Sequence, residues 1–376
     1  YGYTPSSQTK IHLTILLKYY LDNLLLHTQA MMKFYCAWFA LSTVLISMPL
    51  TGCSVQKAND IERRDILVED AEIAPEPMIG RPLSMQRAGD YLLILDNKTD
   101  SLAHLVDVAC GRYAGDFVAK GIGPGEFGNV VMFSTIPGRD DAFTLLRADN
   151  RDLYVAEVEG TDSLYLTYTR ILNLDTWNVG SLADGGYIGT DGYVEYPEIF
   201  TMFDSEGHVT GHYGDRMPED RAAKAGNVAM TAAYQFGFAV SPDGRKVVAI
   251  ASGDEAAAFF RLEADTLRAV NQFRNSSMKH RFADGQYLGV DGHEEVRFLE
   301  GTADNERVYI LYDGRQLDDS NWTGNMLWVY DWDGNKVGEY ALSRRVRAMT
   351  APDESGRIYA ISQDGTDPIL VSFSVR

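Results

Sequence analysis

Histidines and carboxylates are the side chains of this sequence that could most readily perform metal or acid–base chemistry. Two histidines, His208 and His212, are four residues apart, a spacing that places both on one face of a strand. Gly207 and Gly211 beside them indicate turns instead, and zinc generally needs three or four converging protein ligands. We therefore predict no metal site and no cofactor. Catalytic residues remain unassigned, because the sequence contains no Gly-x-Ser-x-Gly nucleophile motif.

A glycine-rich segment at 121–127 could be taken for a phosphate-binding loop. A P-loop continues with Lys and Ser or Thr and then a helix, whereas here Glu126 and Phe127 come before a strand-like run. The segment is better interpreted as a tight connection in which Phe127 packs between sheets. Its other special residues are Gly121, Gly123, Pro124 and Gly125.

Short runs of β-branched and aromatic residues, separated by turn residues, dominate the chain from about residue 61 onward. A helical period is nearly absent, and only 218–225 is expected to form a helical turn. The dipeptide Asp-Gly occurs eight times. It suits tight hairpins because both central residues of a type I′ turn need positive φ. These patterns predict antiparallel sheet throughout.

The strands recur in larger units of roughly 40–50 residues, a period typical of propeller blades. The last unit is short, so a strand near 66–73 is expected to complete it and to close the ring. Closure would remove the exposed sheet edges that a chain of hairpins otherwise leaves. A β-sandwich, or two separate β domains, is the alternative architecture. The units are expected near 81–128, 129–180, 181–229, 230–280, 281–342 and 343–376.

An apolar run near the N-terminus has the pattern of a secretory signal. Lys33 precedes it, 34–50 is almost wholly apolar, and small residues and a cysteine follow. At about 17 residues the run barely reaches the length of a membrane span. The segment 50–53 reads Leu-Thr-Gly-Cys and resembles the lipobox of bacterial lipoproteins. The resemblance implies cleavage between Gly52 and Cys53 and attachment of lipid to Cys53.

This signal predicts how the chain is divided. Residues 1–30 are expected to be an upstream extension that results from a start codon placed too far upstream. The lipoprotein signal peptide then covers 31–52, a polar tether covers 53–60, and the propeller domain covers 61–376.

The chain is strongly acidic, with a formal net charge of −19 at pH 7. Such a surface repels phosphate backbones and anionic headgroups, so we expect no nucleic-acid partner and membrane contact only through the lipid on Cys53. Cleavage would remove Cys36, so if Cys53 carries lipid, Cys110 has no partner for an internal disulfide. Cys110 is expected at a strand end as a small buried side chain.

Two motifs resemble elements of known propellers. The segment 121–127, Gly-Ile-Gly-Pro-Gly-Glu-Phe, is similar to the element that links blades in NHL-type propellers. Ser241-Pro242-Asp243-Gly244, ahead of an apolar strand, resembles the hairpin of TolB- and WD-type blades. With the lipobox, the chain resembles the TolB-like six-bladed propeller lipoproteins of Bacteroidetes. The resemblance implies an all-β fold of six four-stranded antiparallel blades. It also implies an address in the cell envelope, at the outer membrane, facing either the periplasm or the surface.

The expected function is binding without catalysis. A rigid, lipid-anchored propeller would bind a protein, peptide or glycan through the loops around its central channel. Trp322 is a candidate ligand contact, because its indole lies outside the strands in a polar loop. The alternative is a lactonase-, lyase- or hydrolase-like enzyme of the kind that NHL-like propellers sometimes house, with its site in the central channel. Polar groups converging on that channel would favour the enzyme.

Overall fold

Antiparallel strands make up nearly all of the secondary structure. The computed structural model describes residues 61–375 except 75–76, 98–99, 124–125, 148, 161–162, 193, 318–321 and 365–366. These residues belong to one compact unit, 59–376. No helix in this described part is long and apolar enough to cross a bilayer.

The strands follow one another along the chain in hairpin-connected groups of four. In chain order they are β1 (Arg63–Ile66), β2 (Glu69–Asp70), β3 (Pro82–Ala88), β4 (Tyr91–Asp96), β5 (Ser101–Asp107), β6 (Arg112–Ala119), β7 (Val130–Ile136), β8 (Arg139–Arg147), β9 (Asp152–Glu159), β10 (Tyr165–Asn173), β11 (Gly180–Ser181), β12 (Tyr187–Thr190), β13 (Glu198–Phe203), β14 (Val209–Asp215), β15 (Phe236–Val240), β16 (Lys246–Ala251), β17 (Glu255–Glu263), β18 (Thr266–Ser276), β19 (His280–Ala283), β20 (Gln286–Val290), β21 (Phe298–Ala303), β22 (Arg307–Tyr312), β23 (Gly324–Asp331), β24 (Lys336–Met349), β25 (Arg357–Ser362) and β26 (Ile369–Ser374).

These strands form the predicted blades. Blades 1 to 4 are separate four-stranded sheets: β3–β6, β7–β10, β11–β14 and β15–β18. Blades 5 and 6 share the long strand β24, whose first half pairs with β23 and whose second half pairs with β25. Blade 5 therefore contains β21–β24, and blade 6 contains the end of β24, β25, β26 and β2. The blade limits expected from the sequence follow this order, except that blade 5 begins at Phe298 and not near 281, because the β19–β20 hairpin forms a separate sheet.

The N-terminal strand closes the ring, as expected. β2 pairs antiparallel with β26, with Glu69 opposite Ser372. β2 therefore covers the edge of β26 and completes blade 6 with a strand from the other end of the domain. An additional strand, β1, pairs parallel with the first half of β24 and extends blade 5 on its outer side.

Six hydrophobic clusters of described residues lie between the blades, one at each interface around the ring. The cluster between blades 6 and 1, for example, combines Ile361 and Leu370 with Leu92 and Ile94. Middle strands such as β4 are almost wholly buried because neighbouring blades cover both of their faces. Outer strands such as β10 are partly exposed. This difference explains why the middle strands appear in the sequence as continuous apolar runs.

Turn chemistry explains many of the connections. Four Asp-Gly pairs, those beginning at Asp184, Asp243, Asp284 and Asp333, join consecutive antiparallel strands. Their glycines all have positive φ, which other residues adopt only with strain. The pairs beginning at Asp191, Asp291 and Asp313 stand in longer loops, so the dipeptide identified turns without always identifying hairpins.

Two insertions cover one end of blades 3 to 5. The first contains α1 (Asp220–Ala223) and α2 (Asn227–Ala233), and the second is the β19–β20 hairpin. They pack together through Tyr234, whose ring lies 4.6 Å from that of His280. The sequence predicted the first helix only. The second was missed because a seven-residue helix buried by its neighbours has little helical period of its own.

Candidate functional site: the central channel

A cavity of about 940 Å³ opens at one end of the channel enclosed by the innermost strands. All six blades contribute to its wall, from Gln86 in blade 1 to Ser355 in blade 6. Turns between the first and second strands of the blades, including 88–91, 138–141 and 351–355, form its rim. We call this end of the channel the lower mouth. Residues far apart in the sequence meet here because the ring brings the same edge of every blade to one axis.

The lower mouth combines an acidic rim with an apolar wall. Arg139 donates hydrogen bonds to Asp141 at 2.9 Å and to Glu157 at 2.8 Å. The first of these lowers the pKa of the Asp141 carboxyl. Ile136 and Val240 belong to the apolar part of the wall. The charged residues that line the cavity are Asp90, Asp140, Asp141, Asp353 and Glu354, with Arg87 and Arg139 as the cations.

Farther along the innermost strands, Glu300 of β21 lies between blades 5 and 6. Its Oε1 accepts a hydrogen bond from the Met349 amide at 2.9 Å. The side chain is half-buried and surrounded by protein, and desolvation raises the pKa of Glu300 to about 8. The Met349 amide and the positive charge of Arg347 act in the opposite direction but do not cancel this effect. Glu300 can therefore exchange a proton near neutral pH.

The glycine-rich segment forms a tight connection between blades 1 and 2. Glu126 folds back and accepts a hydrogen bond from the Gly123 amide at 2.8 Å. A Cβ at Gly121 would lie 1.9 Å from Glu126 Oε2, so a larger residue here would displace the Glu126 side chain. Phe127 is buried between the two blades, with its ring edge-on to those of Tyr154 and Tyr168. Pro124 and Gly125 lie outside the described residues.

The second motif forms the hairpin between β15 and β16. The Ser241 hydroxyl accepts a hydrogen bond from the Lys246 amide at 2.9 Å and donates one to Asp243 at 2.5 Å. Gly244 has φ +69°, and a Cβ there would lie 2.5 Å from the amide nitrogen of Ala183 in blade 3. Pro242 lines the lower-mouth cavity. This motif therefore shapes the rim of the cavity while joining two blades.

Trp322 lies on a loop, as expected, but away from the cavity. It is 40 % exposed and precedes β23, in the connection from β22 at the end of blade 5 opposite the lower mouth. The other aromatic residues nearby, Trp328, Tyr330 and Trp332, pack between blades 4 and 5.

The histidines lie away from the cavity. His104 is buried in blade 1, with Nε2 3.0 Å from Asp96 and Nδ1 2.6 Å from Asp116. His208 is exposed and lies 3.2 Å from Asp204 in a turn. Among the described residues, no histidine lines the lower mouth, and no group of three His, Cys, Asp or Glu side chains is suited to hold a metal ion.

Cys110 differs from expectation, and Cys53 lies outside the described residues. Cys110 is exposed in the turn between β5 and β6 rather than buried, because the hairpin projects past the apolar core. The nearby Asp107 carboxylate raises the pKa of its thiol. Gly52 and Cys53 lie outside the described residues, so cleavage and lipid attachment stay predictions.

Sequence reasoning missed Glu300 and Arg347. Each is a charged residue inside a strand that becomes innermost in its blade, and its surroundings form only once the ring closes. For Glu300 the available signal was a lone charge within an otherwise apolar or small strand, whereas the strand of Arg347 contains several other charges. The sequence did not show which of several such strands would surround the axis.

The closed ring of hairpin-connected sheets defines a six-bladed β-propeller. Within that class, the chain belongs to the TolB-like 6-blade propeller-like family, whose model matches residues 63–354. No curated protein sequence matches the chain.

Solved propellers of low sequence identity resemble the chain over most of its length. A luciferin-regenerating enzyme is 11% identical, with 82% of this chain and 95% of that one covered and a TM-score of 0.49. Regucalcin, a calcium-binding protein from Agrobacterium tumefaciens, is 12% identical, with coverages of 84% and 98% and a TM-score of 0.48. The propeller domain of Cps50 (Swd1) from Myceliophteria thermophila is 11% identical, with coverages of 81% and 99% and a TM-score of 0.43.

Proposed function

We propose that this chain is a lipid-anchored protein of the cell envelope whose propeller binds a protein, peptide or glycan at the lower mouth. The observation that carries the proposal is the 940 Å³ cavity to which all six blades contribute. Cavities of roughly 300–1,000 Å³ accommodate small ligands or a projecting segment of a larger one. The rigid ring holds this cavity open without the ligand, which reduces the entropic cost of binding.

The wall chemistry supports a ligand with mixed polarity. Ile136 and Val240 offer apolar contact, and Ser134 and Thr302 offer hydroxyl groups. The rim carries five carboxylates against two guanidinium groups, so a cationic or neutral polar group is favoured there. A peptide with a basic residue or a neutral oligosaccharide fits this combination.

Blocking the mouth tests the proposal. The propeller unit 59–376 would be screened against arrays of envelope peptides and glycans. Ala351 lines the cavity from a loop, so Ala351→Trp should weaken every specific ligand about ten-fold or more without disturbing a strand. Val337→Trp, on the exposed face of β24, is the matched control. Ligands that bind Ala351→Trp as tightly as the wild-type protein would place the binding surface elsewhere.

The anchor rests on the sequence pattern that ends at Cys53. We propose that lipid on Cys53 holds the protein at the outer membrane, on its periplasmic or its surface side. Labelling of cells with a radioactive fatty acid should mark the wild-type protein and not Cys53→Ala. Equal labelling of both would rule out this anchor.

Glu300 favours a second candidate function, an enzyme acting in the channel. A carboxyl with a pKa near 8 beside Arg347 could transfer a proton at neutral pH. Lactone and ester substrates would be screened with the wild-type protein and Glu300→Gln. Loss of turnover in the variant alone would support the enzyme, and turnover that survives the substitution would assign it to other residues.

A further inference from the structure

Exposed apolar side chains are distributed unevenly over the propeller. Eleven large apolar side chains of the described residues are strongly exposed, and none of these lines the lower-mouth cavity. Five belong to outer strands or to the link between β1 and β2: Leu67, Tyr165, Ile171, Val209 and Val337. The other six belong to connections between strands or to the two insertions: Met78, Ile122, Trp177, Val228, Leu288 and Trp322.

All six of the latter side chains lie at the end of the propeller opposite the lower mouth, which we call the upper face. The innermost strands β3, β7, β15 and β21 run toward the lower mouth, since each ends in a residue of the cavity wall. The segments that enter these strands at the other end contain Met78, Ile122, Val228 and Leu288. Trp177 precedes β11, which runs the same way because the Ala183 amide beyond it donates a hydrogen bond to Gly244 of the rim. Trp322 lies at this end of blade 5, as described above.

Arginine side chains accompany two of the exposed apolar residues. The Arg151 guanidinium lies 4.1 Å from the centroid of the Trp177 ring. Arg281 donates a hydrogen bond to the Leu288 carbonyl at 3.5 Å. Positive charge is therefore held directly beside exposed apolar surface in two different blades.

Lysines accompany two more of the exposed apolar residues. Lys120 is exposed two residues before Ile122, and Lys224 is exposed four residues before Val228. No carboxylate oxygen of a described residue lies within 4.0 Å of these two lysines or of the two arginines. Both cations of the lower mouth, in contrast, have a carboxylate oxygen within that distance. The upper face thus combines exposed apolar side chains with cations that have no close carboxylate.

We infer that the upper face rests on the surface of a phospholipid bilayer. Apolar side chains on separate connections can each insert between headgroups, and Trp is favoured at this depth. The neighbouring cations complement the lipid phosphates, although the net charge of the whole chain is −19. A protein partner would instead require one contiguous, well-packed apolar patch.

This orientation turns the lower mouth away from the bilayer, so that it opens to ligands in the surrounding solution. The inference goes beyond the proposed function and uses the lipid on Cys53 only as a reason for the bilayer to be near. Vesicle binding by protein that carries no lipid therefore tests it separately from the anchor and from the ligand.

Sedimentation with vesicles of phosphatidylcholine and phosphatidylethanolamine measures this contact. The unlipidated propeller unit 59–376 should bind the vesicles. Ile122→Ser and Leu288→Ser should each lower its partition coefficient about ten-fold, because each removes an apolar side chain that the bilayer buries. Val209→Ser is the matched control, since Val209 is as exposed as Leu288 but lies on the outer strand β14. Its partition coefficient should equal that of the wild-type unit.

The exposed tryptophans of the upper face give a second measurement. Phospholipids with brominated acyl chains should quench the fluorescence of the wild-type unit. The quenching should fall when Trp177→Phe and Trp322→Phe are combined, because Trp328 and Trp332 pack between blades. The inference is overturned if the wild-type unit does not bind vesicles at millimolar lipid, or if Val209→Ser weakens binding as much as Ile122→Ser does. Equal quenching with and without the two exposed tryptophans would overturn it as well.

Discussion

Replacing Glu300 with glutamine should change how the stability of the propeller depends on pH. The pKa of Glu300 is raised from 4.5 to about 8 by desolvation in the channel. Between these values the folded protein keeps a proton that the unfolded chain releases, so stability is lost as the pH rises through this window. Below the lower value both states are protonated and the loss disappears. A glutamine side chain at this position does not titrate, so the variant lacks this loss.

The size of the effect follows from linkage. With pKa values of 4.5 unfolded and about 8 folded, ionisation of the unfolded chain costs the wild-type protein about 3 kcal/mol at pH 7 and about 1 kcal/mol at pH 5. The free energy of unfolding of Glu300→Gln relative to wild type should therefore increase by about 2 kcal/mol from pH 5 to pH 7. For a unit of this size the corresponding change in relative Tm is about 3–4 °C.

Urea unfolding of the propeller unit at several pH values between 5 and 8 measures this difference. All other ionisable groups are common to both proteins, so their contribution cancels in the comparison. Glu306→Gln is the control, because Glu306 is exposed in the β21–β22 turn and the substitution should leave the pH profile unchanged. A constant difference between Glu300→Gln and wild type across the range would refute the account of Glu300 as a desolvated carboxyl.

Three further predictions concern the glycine-rich segment 121–127, the N-terminal strands and the thiol of Cys110. Gly121→Ala places a Cβ against Glu126 and should lower the free energy of unfolding by about 1–2 kcal/mol. In a protein that already carries Glu126→Ala, the same substitution should cost much less. An equal loss of stability with and without Glu126 would contradict this packing. Deleting 61–70 removes β1 from blade 5 and β2 from blade 6 and should lower the urea midpoint, and an unchanged midpoint would show that neither strand stabilises the ring. Asp107 raises the pKa of the exposed Cys110 thiol, so alkylation of Cys110 at pH 8 should be slower than that of a free thiol and faster in Asp107→Asn. Equal alkylation rates in the wild-type protein and Asp107→Asn would refute that effect.

The blade order was predictable because it depends on local features. Continuous apolar runs such as 91–95 are the middle strands, and turn residues separate them at a regular spacing. The strand near 66–73 was predictable because the last blade had too few strands. The channel chemistry was not, since Glu300 and Arg347 acquire their environment only when separate blades meet around one axis. The β19–β20 hairpin was hidden for a different reason: its alternating pattern is the same as that of a blade strand.

Site-specific photo-crosslinking in intact cells tests most directly the claim that the channel mouth is the binding surface. A photoreactive residue would replace Ile136, which lines the lower mouth, and in a second protein Val337, which lies exposed on the outer side. The account predicts a discrete product of higher mass from position 136 and none from position 337. A product from 337 alone would contradict it and would move the binding surface to the outer side of the blades.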